Sequence, residues 1–518
     1  MTENTRGKLS PQAVAMSVSP PPAHKARKLE LKLELELLDD QAPPHLPDAL
    51  DHSSWGFRVA YATFFFTGSA MVAMWSSIML CLDFFDLKYP TERVGFVLPV
   101  INMSTLLVVC LYMLVAGRQL PLEPRVHGSS VTYLLFVVLL PVANIVPMHT
   151  PIAYGLTVLS VVGSTISSSV LQSTMYGLGG VFGPYFIQAL DGGKGLGAML
   201  LFVTRLLTKW WFQLPTNPHL LTDPAEIARF HVHAEAAMAV FFAVTFFLVA
   251  LAWVLYICMR NTAYAQPLLQ EYLLVQHDTP YAAGSPMHSP MVTPSPTRRS
   301  FSVSERSPLL PHHSIDDLTP TPNGSTSPVR VAPPLSPDAT LREAHASSAS
   351  IPSVLRTAAK PFFSLFFSYF LCLSCFPGII TAIQSTTFQL GDWFPIVMVG
   401  CYNFGDLIGK NLPVYVLYFD VETLHLPWIL QVACVPLFML EMLHPFADIV
   451  TIVLVTLFGF LTGYVTTSSM ILAPSICSEY QKEVAGMVGS LCAIIGLCVG
   501  SYNGLALETL LELLRDRQ

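Results

Sequence analysis

The chain has 518 residues, 52% of them hydrophobic and only 12% charged, with a mean hydropathy of +0.53 and a formal net charge of −7. Those values hold although long stretches are plainly polar, so the apolar remainder is that of a polytopic helical membrane protein, with room for eleven spans of roughly 20 to 25 residues. The mild acidity and the lack of a basic patch exclude DNA and RNA as partners.

Residues 1–52 are rich in Pro and charge and read as a disordered tail, although Lys28 to Leu38 alternates like a strand in helix-preferring residues. No apolar run precedes the first span, which is expected to insert as its own signal. Apolar segments follow at 57–82, 94–116, 131–148, 151–177, 184–207 and 235–259, six spans that make up an N-terminal half over 53–259. The run Gly177 to Pro184 is too glycine-rich for a helix interior and predicts the turn between the fourth and fifth spans. The fifth span begins unusually, with Asp191 and Lys194 among glycines.

From 260 to 360 the chain turns to Ser, Thr and Pro, a composition that builds no packed core and reads as a disordered loop. Five further spans at 361–386, 393–418, 427–443, 448–473 and 484–512 form a C-terminal half over 361–518. The expected fold is therefore all-α, with eleven transmembrane helices split 6+5. Six basic residues precede the first span (Arg6, Lys8, Lys25, Arg27, Lys28, Lys32) and the middle loop with its ends holds eight, which places both in the cytoplasm. Neither sequon is then open to glycosylation: Asn102 lies inside a span, and Asn323 lies in the cytoplasmic loop.

Near misses for enzyme motifs carry no catalysis. Gly405 to Lys410 lacks one spacer of a phosphate-binding loop and has Asn411 where Ser or Thr would bind magnesium, and neither H-E-x-x-H nor G-x-S-x-G occurs. The ten cysteines lie in or beside apolar runs and read as small buried hydrophobes; Cys372 and Cys375 form a lone C-x-x-C without a second pair, so neither metal nor cofactor is expected.

Polar residues inside the spans say more. Asn403, Asp406 and Lys410 fall within about 60° of one another on one helical face, and Gly405 and Gly409 share a neighbouring face. A charge at the bilayer centre costs on the order of 2.5 to 3.5 kcal/mol, so this face turns toward a partner or a polar cavity while the glycines admit another helix. An i, i+4 ion pair and a substrate-facing pair are both consistent with Asp406 and Lys410. Ser164, Ser168, Gln172 and Tyr176 recur every fourth residue along the fourth span, as a hydrogen-bonding seam or a substrate-facing wall. Trp75, midway along the first span, serves either packing or an aromatic platform. Asp83 and Asp86 read as solvated, and Glu441 as a minor candidate for proton coupling.

These features resemble the equilibrative nucleoside transporter family. The motifs are the 6+5 layout with a long loop after span six, Asn403 to Lys410 as the eighth-span pattern, Phe376-Pro377, Leu171-Gln172, Thr462-Gly463-Tyr464, and Glu483-Val-Ala-Gly486. The chain departs from the family in having Lys410 for arginine, Ser76 for an amide after the first-span tryptophan, and Lys194 in a stretch normally uncharged.

The resemblance implies a major-facilitator-like carrier that moves nucleosides or nucleobases by alternating access between two halves, facilitative or proton-coupled. It also implies that Trp75 lines a base pocket, that Gln172 hydrogen-bonds the base, and that Asp406 with Lys410 meets the ribose hydroxyls; Ser168 and Asn403, on the same helical faces, complete the candidate substrate-binding set. A carrier of another small polar solute and a non-transporting receptor or tether acting through the 260–360 loop are the alternatives. That loop carries Glu305 to Leu310, an E-x-x-x-L-L string next to Ser300 and Ser302 that would engage kinases and sorting adaptors. The expected location is the plasma membrane, with an endosomal or lysosomal membrane if that string is a working address.

Overall fold

The computed structural model describes residues 54–92, 94–212, 224–277 and 350–515, and these are helical with short connections. In chain order the helices are α1 (Trp55–Leu80), α2 (Leu82–Lys88), α3 (Val94–Val115), α4 (Leu122–Ile145), α5 (Thr150–Phe182), α6 (Pro184–Phe212), α7 (Pro224–Arg260) and α8 (Ala265–His277). After the middle segment come α9 (Ile351–Thr357), α10 (Ala359–Cys375), α11 (Gly378–Ala382), α12 (Phe394–Asn411), α13 (His425–Leu443), α14 (Asp448–Ser475) and α15 (Glu479–Arg515). The tail 1–52, Thr293 to Pro296, Glu305 to Leu310 and Asn323 lie outside the described residues.

Among the described residues ten helices are long and apolar enough to cross a membrane, α10 and α11 counting as one. The 18-residue α12, with Asn403, Asp406, Lys410 and Asn411, is not in that set. Large apolar side chains face outward, among them Val108, Leu135, Phe247 and Val453, as expected of a surface solvated by lipid tails. Helical hydroxyls fold back onto their own backbone, as in Thr63 to Val59 O (2.8 Å), Thr157 to Ala153 O (2.8 Å) and Ser469 to Val465 O (2.7 Å). This satisfies a donor that has no water to turn to.

Two packing groups are evident. In the first, α1 lies against α6 and α7, and α5 against α3 and α4; in the second, α14 lies against α12, α10 and α13, and α10 against α15. The groups meet along α5 and α15, α6 and α12, and α3 and α15.

The expectation that Gly405 and Gly409 admit another helix holds, and the partner is α14. A Cβ at Gly405 would stand 2.1 Å from Thr456 O and one at Gly409 2.2 Å from Phe460 O. From the other side, Gly459 and Gly463 leave 2.3 and 2.4 Å to Tyr402 O and Asp406 O. The two backbones pack against each other through bare glycines on both helices, which requires small residues at this spacing.

Several sequence expectations need correction. Gly177 to Phe182 continue α5, and the turn narrows to Gly183, whose φ of +110° suits glycine. At Gly180 the glycine admits α15: a Cβ there would stand 2.4 Å from Lys482 O. The eighth helix ends at Asn411 rather than near 418, since Pro413 has no N–H with which to continue the ladder. Within 260–360, read as disordered, both ends are helical (α8 and α9). In α8, Tyr272 is buried in an apolar cluster with Leu268 and Leu269 packed against it. Cys258 is exposed rather than buried, because an apolar run also supplies the outward face of a span.

Candidate functional site

The polar face of α12 is buried where the two groups of helices meet. Lys410 Nζ donates to Asp406 Oδ2 at 2.6 Å, and the two side chains are 9% and 6% exposed. Asn403 is buried one turn away on the same helix. The i, i+4 spacing brings the ammonium over the carboxylate, and with the glycines on α14 at its back, α12 directs this face at α6 and α10. The pair is a charge-assisted hydrogen bond held away from bulk water, where the strengthened attraction offsets the desolvation of both charges only because the geometry is close.

Facing it, α6 presents a second acid and base. Tyr176 Oη of α5 donates a short hydrogen bond to Asp191 Oδ1, and Lys194 Nζ stands 4.5 Å from the centroid of the Tyr176 ring, within cation–π range. Asp191 and Lys194 lie within electrostatic reach of Asp406 and Lys410, as does Tyr369 of α10. Four charges of zero net sum thus converge from two helices that belong to different packing groups.

Gln172 lies one turn from Tyr176 on α5, and its Nε2 donates to Ser490 Oγ of α15 at 2.9 Å. Ser490 also meets Cys110 Sγ of α3 at 3.9 Å, and Cys110 is within electrostatic reach of Lys194. Ser168 is half-buried one turn earlier, its hydroxyl donating to Thr165 O at 3.2 Å. Trp75 stands apart: it lies five residues from the end of α1, half-buried against the apolar cluster built on Phe84, Tyr133 and Phe241. The structure therefore gathers Gln172, Asn403, Asp406 and Lys410 around one junction and sets Trp75 in the apolar core of the first group. Glu441 is buried elsewhere, between α13 and α14, accepting a short hydrogen bond from Thr451 Oγ1.

Sequence reasoning passed over two further contacts between the groups. Gln188 Nε2 of α6 donates to Asn411 Oδ1 of α12 at 2.8 Å, while its Oε1 accepts from Tyr61 Oη at 2.9 Å. Nearby, Tyr272 of α8 accepts from Arg125 Nη2 of α4 at 3.1 Å and donates to Glu483 Oε1 of α15 at 2.9 Å. Burial holds the Tyr272 hydroxyl proton far more tightly than usual, with the Glu483 carboxylate adding to the effect, so the phenol remains a donor. Only the isolated Tyr among leucines in 265–277 hinted at this contact.

The bundle is similar to FucP, a Major Facilitator Superfamily transporter solved in the outward conformation, with a TM-score of 0.54 and 11% identity over 89% of this chain and 99% of that one. Among curated proteins, the equilibrative nucleotide transporter 1 of Arabidopsis thaliana is 23% identical over 468 residues, covering 88% of each chain. The equilibrative nucleoside transporter 4 of Homo sapiens is 22% identical over 482 residues, 86% of this chain and 82% of that protein. Adenosine transporter 1 of Crithidia fasciculata is 22% identical over 78% of this chain and 80% of its own length. The family model described as nucleoside transporter matches residues 156–508, so most of α5 through most of α15, with every charged residue of the junction, fall inside it. The chain is a multi-pass membrane transport protein with the major-facilitator fold, and it belongs to the nucleoside transporter family.

Proposed function

We propose that this carrier moves nucleosides or nucleobases by alternating access between the two helix groups, with the substrate at the junction of α5, α6, α12 and α15. The observation that carries the reading is the buried Asp406–Lys410 pair, which is aimed at the other helix group and is costly in a bilayer unless it meets something polar. A carboxylate accepts from two adjacent hydroxyls, as a ribose presents, and the Gln172 carboxamide both donates to and accepts from a base edge. Asn403 and Ser168 flank these groups. Trp75 supports the first group's core and acts on the base only if the groups rearrange. On this reading α12 is an eleventh span, tolerated in lipid because its polar face is turned inward, and the arrangement is six spans plus five. Whether the cycle carries a proton is read from the same assay at two pH values.

Purified protein in liposomes is expected to take up labelled adenosine or uridine, or a purine base, and Asp406→Ala to abolish that uptake. Uptake of none of these would refute the reading. For localisation the proposal is the plasma membrane; the alternative, an endosomal or lysosomal membrane, holds if Glu305 to Leu310, beside the phosphorylatable Ser300 and Ser302, is a working adaptor-read address. Leu309→Ala combined with Leu310→Ala is expected to shift the protein toward the surface, and an unchanged distribution removes the address.

A further inference from the structure

Asp191 and Lys194 have no place in the transport scheme above, and the physical state of each is incomplete. Asp191 is 1% exposed; its Oδ1 accepts from Tyr176, and its Oδ2 has no hydrogen-bond partner. Lys194 makes neither an ion pair nor a hydrogen bond among the described residues, only the contact with the face of the Tyr176 ring. The Asp191 carboxylate oxygen, buried without a donor, carries an uncompensated desolvation cost, and the half-buried Lys194 beside it leaves its ammonium donors free for a ligand. At i and i+3 on α6 they share a face, so the vacant acceptor and the vacant donor are neighbours. They also stand beside Gln172 through Tyr176, and within electrostatic reach of Asp406 and Lys410.

A ligand that satisfies both must present a hydrogen-bond donor next to an acceptor, in a rigid plane and without net charge, because the four surrounding charges already sum to zero. The pairing edge of a nucleobase has that chemistry. In hypoxanthine, guanine and uracil a ring N–H adjoins a carbonyl; in adenine and cytosine an exocyclic amino group adjoins a ring nitrogen. Resting on the transport reading above, we propose that Asp191 and Lys194 read this edge, the carboxylate accepting from the base N–H and the ammonium donating to the adjacent oxygen or nitrogen. The carrier's substrates are then nucleosides or bases with an intact donor–acceptor edge, and a base without the donor is rejected. Gln172 holds another edge of the same ring, and Asp406 with Lys410 holds the sugar.

The test is competition against labelled inosine and adenosine uptake in liposomes. The competitors are the unlabelled nucleosides, purine riboside (no exocyclic amino or carbonyl group, hence no donor on that edge) and N1-methylinosine (carbonyl kept, N–H blocked). Purine riboside and N1-methylinosine are expected to compete about 10- to 100-fold more weakly, since each leaves the Asp191 carboxylate unpaired in a buried site. Asp191→Asn and Lys194→Met are expected to bring the inosine to purine riboside ratio toward one. A merely structural role would lower uptake of both and leave the ratio where it was, which would overturn the proposal. Equal competition by purine riboside on the unaltered protein would also overturn it while leaving nucleoside transport standing. Absence of uptake of every nucleoside and base would overturn both. If a variant fails to fold, the competitor panel on the unaltered protein decides by itself.

Discussion

Asp406→Asn removes one charge of a pair whose side chains are 6% and 9% exposed and whose polar atoms stand 2.6 Å apart. The Lys410 ammonium then stays buried next to a neutral amide, and breaking a buried pair in this way costs about 3 to 5 kcal/mol. Replacing both partners, Asp406→Leu with Lys410→Met, keeps the volume and leaves no charge to solvate, so its stability is expected within about 1 kcal/mol of the original or above it. Uptake should not follow stability: both the single and the double variant are expected to be inactive if Asp406 meets the sugar hydroxyls. The assay pairs thermal unfolding in detergent with uptake in liposomes for the original, both single variants and the double. A double variant that recovers uptake along with stability would show the pair to be a helix brace and would refute its role at the site. A stable, active Asp406→Asn would refute the burial argument itself.

Three other outcomes follow from particular contacts. Gly405→Ala places a Cβ 2.1 Å from Thr456 O and is expected to lose about 1 to 3 kcal/mol of stability as α12 and α14 are forced apart. Gly155→Ala, where nothing lies within 4 Å, is expected to be neutral or stabilising, and comparing the two melting curves checks the close-approach reading. Tyr272→Phe removes the hydroxyl that joins Arg125 to Glu483. It is expected to cost about 1 to 3 kcal/mol and to speed hydrogen exchange in α8, and unchanged exchange would count against that contact as a link between the groups. Gln172→Ala is expected to raise the KM for nucleosides. Ser490→Ala, which deletes the 2.9 Å hydrogen bond between α5 and α15 and the 3.9 Å contact with Cys110 Sγ of α3, should leave base preference intact, and competition curves distinguish the two.

The polar face of α12 was legible from the chain because it needs only the 100° step of a helix and the cost of a charge in lipid. The structure keeps that reading and adds its mechanical basis, glycines on both α12 and α14. Six spans and a polar middle segment likewise follow from composition. Periodicity says which residues share a face but not what that face meets, and here the long-range geometry decided. Gly177 to Gly180 look like a turn to local rules yet are helical, and the α15 backbone requires the smallness of Gly180. Trp75 looks central but lies five residues from the end of α1, half-buried against the apolar cluster of one group, because the first helix stops at Leu80.

By itself the sequence determined an all-helical membrane carrier of this family's pattern, with its charged residues placed on the inner faces of particular helices. Only the tertiary structure decided which of those charges face one another. Asp191 and Lys194 come from α6 to meet Asp406 and Lys410 of α12, more than two hundred residues away, and Tyr272 meets partners 147 and 211 residues distant. The reason is physical: a helix satisfies its own backbone locally, whereas a buried charge or hydroxyl is satisfied by whatever neighbouring helices bring to it.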